Sequence, residues 1–180
     1  MLALAFAAEH PDAAAGLILV GCGTFSPAAR KIFEERRASQ TTPELAAALA
    51  EVRRIEDPGI RFAEYGALMN QIYGFNLLVA PEPGEPFDQQ AHQETWSDMV
   101  RLQEIGVYPA AFHAIKIPTL MLHGDTDPHP GRETSHDLRA MIPHLEYVEL
   151  PQCGHSPWLE RHARDRFFAA CESWIGDLTR

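Results

Sequence analysis

Three short hydrophobic runs, separated by longer helical stretches, dominate the pattern of the chain. Residues 17–20 and 118–123 are mostly apolar runs followed by glycine, which is typical of buried parallel strands. Residues 145–150 alternate between apolar and polar side chains, as expected of an edge strand with one wetter face. A helical pattern at about residues 132–141 lies between the second and third runs. This strand–helix–strand order predicts a right-handed crossover and a parallel sheet of about three strands.

Both ends of the chain carry a helical pattern. Residues 1–8 are strong helix formers without a capping residue or a polar face, so we expect a helix that starts in mid-course and is buried all round. A last helix is predicted at about residues 159–178. Its apolar side has helical spacing and consists of Ala163, Phe167, Phe168, Cys171, Trp174 and Ile175.

Residues 22–117, called the insertion below, are too long for a simple crossover between strands. Ser26 and Thr42 each precede a proline, a pattern that predicts helices from about residue 27 to 37 and from about 43 to 55. Two more helices are predicted, one after the break at Asp57-Pro58-Gly59 with an apolar stripe from Phe62 to Tyr73, and one at about residues 88–105. Residues 81–86 predict a stiff proline-rich loop. We expect the insertion to lie over the sheet; a separate helical domain is the alternative.

Composition restricts the possible functions. The 180 residues contain 15 Lys+Arg and 25 Asp+Glu, a net charge of −10, with 46% hydrophobic residues. These values are typical of a globular protein and argue against nucleic-acid binding, which needs a basic surface. No apolar stretch approaches the roughly 18 residues that would span a bilayer.

The cysteines and the first residues indicate a reducing compartment. Cys22, Cys153 and Cys171 are widely spaced and form no C-x-x-C pair, so neither a zinc knuckle nor a redox motif is predicted. Residues 1–8 lack the basic segment of a signal peptide. We therefore expect a cytoplasmic protein.

Two loops at the carboxyl ends of the predicted strands carry polar groups suited to catalysis. Asp125 and Asp127 follow the second strand, and His155 follows the third. Open α/β sheets bind ligands at these ends, where an acid can fix the tautomer of a histidine and stabilise its charged form. Gly154 lets the second loop turn so that His155 points into the site.

At this point the sequence resembles the C-terminal part of the α/β-hydrolase fold. The segment from Pro118 to Asp127 has the form P-x-L-x-x-x-G-x-x-D, and Cys153-Gly154-His155 matches the C-G-H loop of many members. The helix that starts at residue 2 and the strand at residues 17–20 resemble the helix behind the nucleophile and the strand that follows it.

The resemblance implies a partial α/β-hydrolase fold in which residues 1–21 and 118–180 form the core and residues 22–117 form the variable cap. It implies Asp127 as the acid and His155 as the base of a nucleophile–His–Asp triad, with Asp125 as the competing acid. The family's nucleophile elbow, G-x-S-x-G, is absent from these 180 residues. We therefore expect an N-terminally truncated hydrolase of small esters or amides, needing no cofactor, with neither nucleic acid nor membrane as a partner.

Other interpretations of the same residues remain. The chain could be a non-catalytic binding or interaction module that self-associates through an exposed sheet edge. A metal-dependent hydrolase could use His123, Asp125, Asp127 and His129 together with His136, His144 or His155, although no compact helical ligand motif supports it and we predict no metal. Cys153 could act as a thiol nucleophile, but a buried loop residue is the simpler interpretation.

Overall fold

The computed structural model of the chain describes residues 1–79 and 88–178. Its core is a parallel sheet of three strands in the order β1-β2-β3, so the predicted α/β fold class is confirmed. The strands are β1 (Leu17–Val20), β2 (Thr119–Gly124) and β3 (Glu146–Leu150). The α-helices are α1 (Leu2–Glu9), α2 (Pro27–Gln40), α3 (Pro43–Val52), α4 (Pro58–Tyr73), α5 (Gln89–Glu104), α6 (Gly131–Arg139) and α7 (Arg164–Leu178). Two short 3₁₀ turns, Ala110–Ala114 and Pro157–Leu159, complete the fold. The predicted loop at residues 81–86 lies outside the described residues.

The sheet is covered by helices on both faces. Every residue of β2 is buried, because it is the central strand and its side chains alternate between two cores. Met121 packs with Leu4 of α1 and Leu138 of α6, whereas Leu120 and Leu122 pack with α7. The predicted strand–helix–strand crossover is therefore present as β2–α6–β3, with the strands parallel.

Helices α2 to α5 of the insertion all follow β1 and precede β2. Ser26, Thr42 and Asp57 cap α2, α3 and α4 by accepting hydrogen bonds from backbone N–H groups three residues on. Proline follows each cap at the first helical position, where a missing N–H costs nothing. Helices α3 and α4 share a small core of their own around Leu45, Met69 and Ile72.

Two predicted apolar faces are narrower than expected. In α1 only Leu4 and Ala7 are buried, while Leu2 is 72% and Phe6 is 53% exposed, so the prediction of a helix buried all round was wrong for the described residues.

The last helix differs in the same way. It begins at Arg164 rather than near residue 159, because a 3₁₀ turn and the residues after it come first. Phe167 and Trp174 face the sheet, but Phe168 is 43% and Ile175 is 49% exposed. A three-stranded sheet covers only a narrow stripe of α7.

Within residues 1–79 and 88–178, no helix combines the length and the apolar character needed to cross a bilayer.

Candidate active site

The loops after β2 and β3 are joined to each other at the carboxyl end of the sheet. Asp125 N donates to the carbonyl oxygen of Leu150 at 3.0 Å. Thr126 donates to the carbonyl oxygen of Cys153 from both its backbone N (3.0 Å) and its Oγ1 (2.7 Å). These contacts fix the two loops that carry the predicted acid and histidine.

The structure brings Asp127 and His155 together. Asp127 Oδ2 lies 2.7 Å from His155 Nδ1, and the Asp127 side chain is fully buried. His155 is partly exposed, so its ring lies between the buried carboxylate of Asp127 and the solvent-accessible surface.

Two further histidines contact the same carboxylate. His129 reaches Asp127 Oδ1 from Nδ1 at 3.0 Å and from its backbone N at 2.9 Å. His123 Nε2 lies 3.2 Å from Asp127 Oδ2 and 2.9 Å from the carbonyl oxygen of His129. From the sequence, both histidines are predicted only as possible metal ligands, and their contacts with Asp127 are found in the structure alone.

These contacts determine the charge of Asp127 and which ring nitrogens of His129 and His155 carry a proton. Burial by itself would raise the pKa of Asp127, but the hydrogen bonds from His123, His129 and His155 outweigh burial and hold that pKa well below its usual range. An ionised carboxylate only accepts hydrogen bonds, so the Nδ1 atoms of His129 and His155 must donate to it. His155 therefore carries its lone pair on Nε2, which is the arrangement required of a general base.

The competing acid, Asp125, and the candidate thiol residue, Cys153, contact each other. Asp125 Oδ1 accepts a hydrogen bond from Cys153 N at 3.2 Å and so supports the loop before His155. Cys153 is fully buried, and burial raises the pKa of its thiol to about 12. A protonated, buried thiol is a poor nucleophile.

Aromatic side chains from the insertion cover the histidines. The ring of Tyr73, at the end of α4, lies 5.6 Å from that of His129 and 5.3 Å from that of His155. Phe33 of α2 stacks on His129 at 4.4 Å. Burial raises the pKa of Tyr73 to about 12, so this phenol is a neutral wall of the site. Phe33 and Tyr73 of the insertion therefore lie against the two histidines at the carboxyl end of the sheet.

A cavity of about 590 Å³ opens beside these rings. Its lining combines apolar side chains with charged residues of α2 and with the two histidines: Met1, Gly23, Thr24, Phe25, Arg30, Phe33, Glu34, Arg37, Tyr73, Trp96, Met99, His129 and His155. Such a volume is in the range of small-molecule sites. Met1, directly before α1, and His155 thus line the same cavity.

The donor set of the site could also hold a metal ion. One ligand atom from each of Asp127, His129 and His155 lies within 4.8 Å of the others. His144 contacts the carbonyl oxygen of Ile117 instead, and His136 lies in the last turn of α6. Because the Nδ1 atoms donate to Asp127, the Nε2 atoms of His129 and His155 are the ring nitrogens that keep a lone pair for a metal.

Comparison with known proteins decides the family. Residues 1–170 match the Alpha/beta hydrolase family. The chain belongs to this family. No curated protein matches it in sequence.

Several solved structures are similar to the chain over nearly its whole length. VinJ is 18% identical with a TM-score of 0.62, and the match covers 99% of this chain and 62% of VinJ. Proline iminopeptidase of Mycobacterium smegmatis is 18% identical (TM-score 0.58), with 99% of this chain and 62% of that one covered. A thermophilic esterase of Thermogutta terrifontis is 24% identical (TM-score 0.50), with 98% and 61% covered. At these identities the similarity shows the fold, and this hydrolase-family chain spans about three fifths of the length of the proteins it matches.

Proposed function

We propose that Asp127 and His155 are the acid and base of a nucleophile–His–Asp triad that hydrolyses a small ester or amide. The observation that carries this proposal is the 2.7 Å contact between a buried, ionised carboxylate and the Nδ1 of a partly exposed histidine beside a cavity. The insertion, residues 22–117, acts as the cap that shapes the substrate cavity through Phe33, Tyr73 and Trp96.

In the proposed reaction, His155 Nε2 removes the proton of the nucleophile as it attacks the substrate carbonyl. His155 later returns that proton to the leaving group. Asp127 holds the imidazole in the required tautomer and stabilises its charged form, without itself becoming protonated. His129 and His123 keep Asp127 ionised, since each donates a hydrogen bond to the carboxylate.

The nucleophile has to come from outside these 180 residues, which contain no G-x-S-x-G, G-x-C-x-G or G-x-D-x-G. In the family the elbow lies immediately before the helix that α1 resembles. Met1 and His155 line the same cavity, so a residue directly preceding α1 would approach the histidine.

The test begins with the gene sequence upstream of Met1, where we expect a G-x-S-x-G in frame. The extended protein should hydrolyse p-nitrophenyl esters, and His155→Ala and Asp127→Asn should each lower kcat by about 10³-fold or more. Asp125→Asn is the matched control and should retain most of the activity. An extended enzyme that works equally well as His155→Ala would contradict the proposal, and an in-frame stop codon upstream would favour the non-catalytic module.

A second candidate, a metal-dependent hydrolase, is favoured by the clustering of Asp127, His129 and His155. In that case turnover should disappear on dialysis against EDTA and return with Zn²⁺. The triad proposal expects EDTA to leave turnover unchanged.

A further inference from the structure

Glu160 is a buried carboxylate that the proposed reaction does not use. Its relative exposure is 0%. Oε1 accepts hydrogen bonds from Gly154 N at 3.0 Å and Phe75 N at 2.8 Å, and Oε2 accepts one from Asn76 N at 2.7 Å. The carboxylate thus joins the loop of His155 to the segment that follows α4.

Other backbone hydrogen bonds also join the loop of His155 and the residues after it to the end of α4 and the segment that follows α4. His155 N donates to the carbonyl oxygen of Tyr73 at 2.7 Å, and Arg161 N donates to that of Asn76 at 2.9 Å. Leu78 N donates to the carbonyl oxygen of Leu159 at 2.8 Å. The backbone of His155 is therefore held by the end of α4, while Gly154 before it is held by Glu160.

The hydrogen bonds to Glu160 require a charged acceptor at position 160 and a small residue at position 154. A carboxylate offers two oxygens that only accept, whereas an amide of the same shape has one accepting oxygen and a nitrogen that would oppose an N–H donor. A buried charge is costly unless it is hydrogen-bonded, and here three backbone N–H groups supply those bonds. A Cβ at position 154 would collide with the carbonyl oxygen of Tyr73 and with Glu160 Oε1, so glycine permits the close approach.

We propose that Glu160 is a positioning residue for His155. By binding Gly154 N, Phe75 N and Asn76 N, it locks the histidine loop to the end of α4, so that the His155 ring stays against Asp127 and the Tyr73 ring stays against His155. The proposal rests on the proposed function only in treating His155 as the base; the contact network itself needs no turnover.

The experiment is hydrogen exchange and NMR spectroscopy on the 180-residue chain with Glu160→Gln. We expect the amides of Gly154, Phe75 and Asn76 to exchange at least about tenfold faster, because bonds to a charged acceptor are lost. The low-field resonance of the His155 Nδ1 proton, shared with Asp127, should broaden or disappear as the histidine loop loosens.

Two control variants separate positioning from a general loss of stability. Glu172→Gln removes an exposed carboxylate of α7 and should change neither readout. Ile142→Val weakens the opposite core and lowers the melting temperature, but it should leave the His155 Nδ1 resonance in place. Glu160→Gln spectra that match those of either control would overturn the proposal.

The wild-type protein gives a test that does not depend on the variant folding. The three amides lie outside helices and strands, yet they should exchange at least about tenfold more slowly than in an unstructured peptide. Exchange at the peptide rate would also overturn the proposal. Absence of ester hydrolysis by the protein extended upstream of Met1, with these NMR results intact, would instead reject the proposed function alone.

Discussion

Asp127 is contacted by three imidazole rings. His155 and His129 each take one carboxylate oxygen, and His123 adds a third contact from within the core. Because the carboxylate is fully buried, these donors replace the water that would otherwise stabilise its charge. The same contacts that orient His155 should therefore contribute to the stability of the fold.

The first prediction concerns that charge. Asp127→Asn should lower the free energy of unfolding by about 3 kcal/mol, because the amide cannot accept all the hydrogen bonds that the carboxylate accepts. Urea denaturation followed by circular dichroism measures this change. Asp125→Asn, whose single described side-chain contact can be kept by the amide oxygen, should cost less than about 1 kcal/mol. Equal losses in the two variants would contradict the assignment of Asp127 as the buried charge.

The second prediction is a pH dependence. The pKa of Asp127 is lower in the folded protein than its ordinary value of about 3.9. Its stabilising contribution is therefore present above that value and is lost as the pH falls below it. The difference in unfolding free energy between wild type and Asp127→Asn should shrink as the pH falls from about 5 towards 3. If this difference in unfolding free energy grew as the pH fell, the pKa of Asp127 in the folded protein would not be lowered, and the prediction would be wrong.

At the scale of elements, the insertion depends on its helix caps. Ser26 begins α2, the helix that brings Phe33 against His129 and contributes charged residues to the cavity. Its side chain accepts a hydrogen bond from Ala29 N at 3.2 Å, which satisfies one of the free N–H groups of the first turn.

Loss of this cap gives the third prediction. Ser26→Ala should destabilise the protein by about 1 kcal/mol, measured by urea denaturation. Ser39→Ala, near the other end of α2, removes an exposed hydroxyl that donates only to the carbonyl oxygen of Arg36 and should change stability by less than about 0.5 kcal/mol. A larger loss for Ser39→Ala would show that the cap does not hold α2 in place.

At the scale of the whole molecule, both outer strands of the sheet, β1 and β3, have an unpaired edge in the described residues. β1 pairs with β2 on one side only. Leu17 N and Gly21 N donate towards β2, so the alternating N–H groups of Ile18 and Val20 point to the free edge. Exposed Leu2 and Phe6 of α1 add apolar surface to the molecule. Open edges of this kind pair with other chains.

We therefore predict that the 180-residue chain self-associates, and that Val20→Pro reduces the association. Proline at this position removes an N–H from the free edge without breaking a bond to β2. Sedimentation velocity measures the outcome. Leu17→Pro is the matched control, since it removes the N–H that donates to Pro118 and should destabilise the fold without capping the edge. A wild-type chain that remains monomeric and unfolds cooperatively would contradict the prediction.

The sequence by itself determined the three strands, their parallel order and the helix caps. Each of these depends on residues close together in the chain: apolar runs ended by glycine, and serine, threonine or aspartate before proline. A contact between an acid after β2 and His155 was predictable too, because parallel strands bring their carboxyl ends to one edge of the sheet. The choice of Asp127 rather than Asp125 came from the family resemblance. The family resemblance rested on the same short segments.

Only the tertiary structure decided which helix faces are buried and which groups share the site. The exposed sides of α1 and α7 follow from the narrow sheet that covers them. Tyr73 contacts His155 from a segment distant in sequence, and Glu160 binds the backbone of that same segment. His123 and His129 lie within four residues of Asp127, but their contacts with it depend on how the loop after β2 folds. None of these contacts leaves a periodic pattern along the chain. Local propensity and hydrophobic spacing therefore specify the strands and helices. The polar contacts around His155 form only once these elements have packed together.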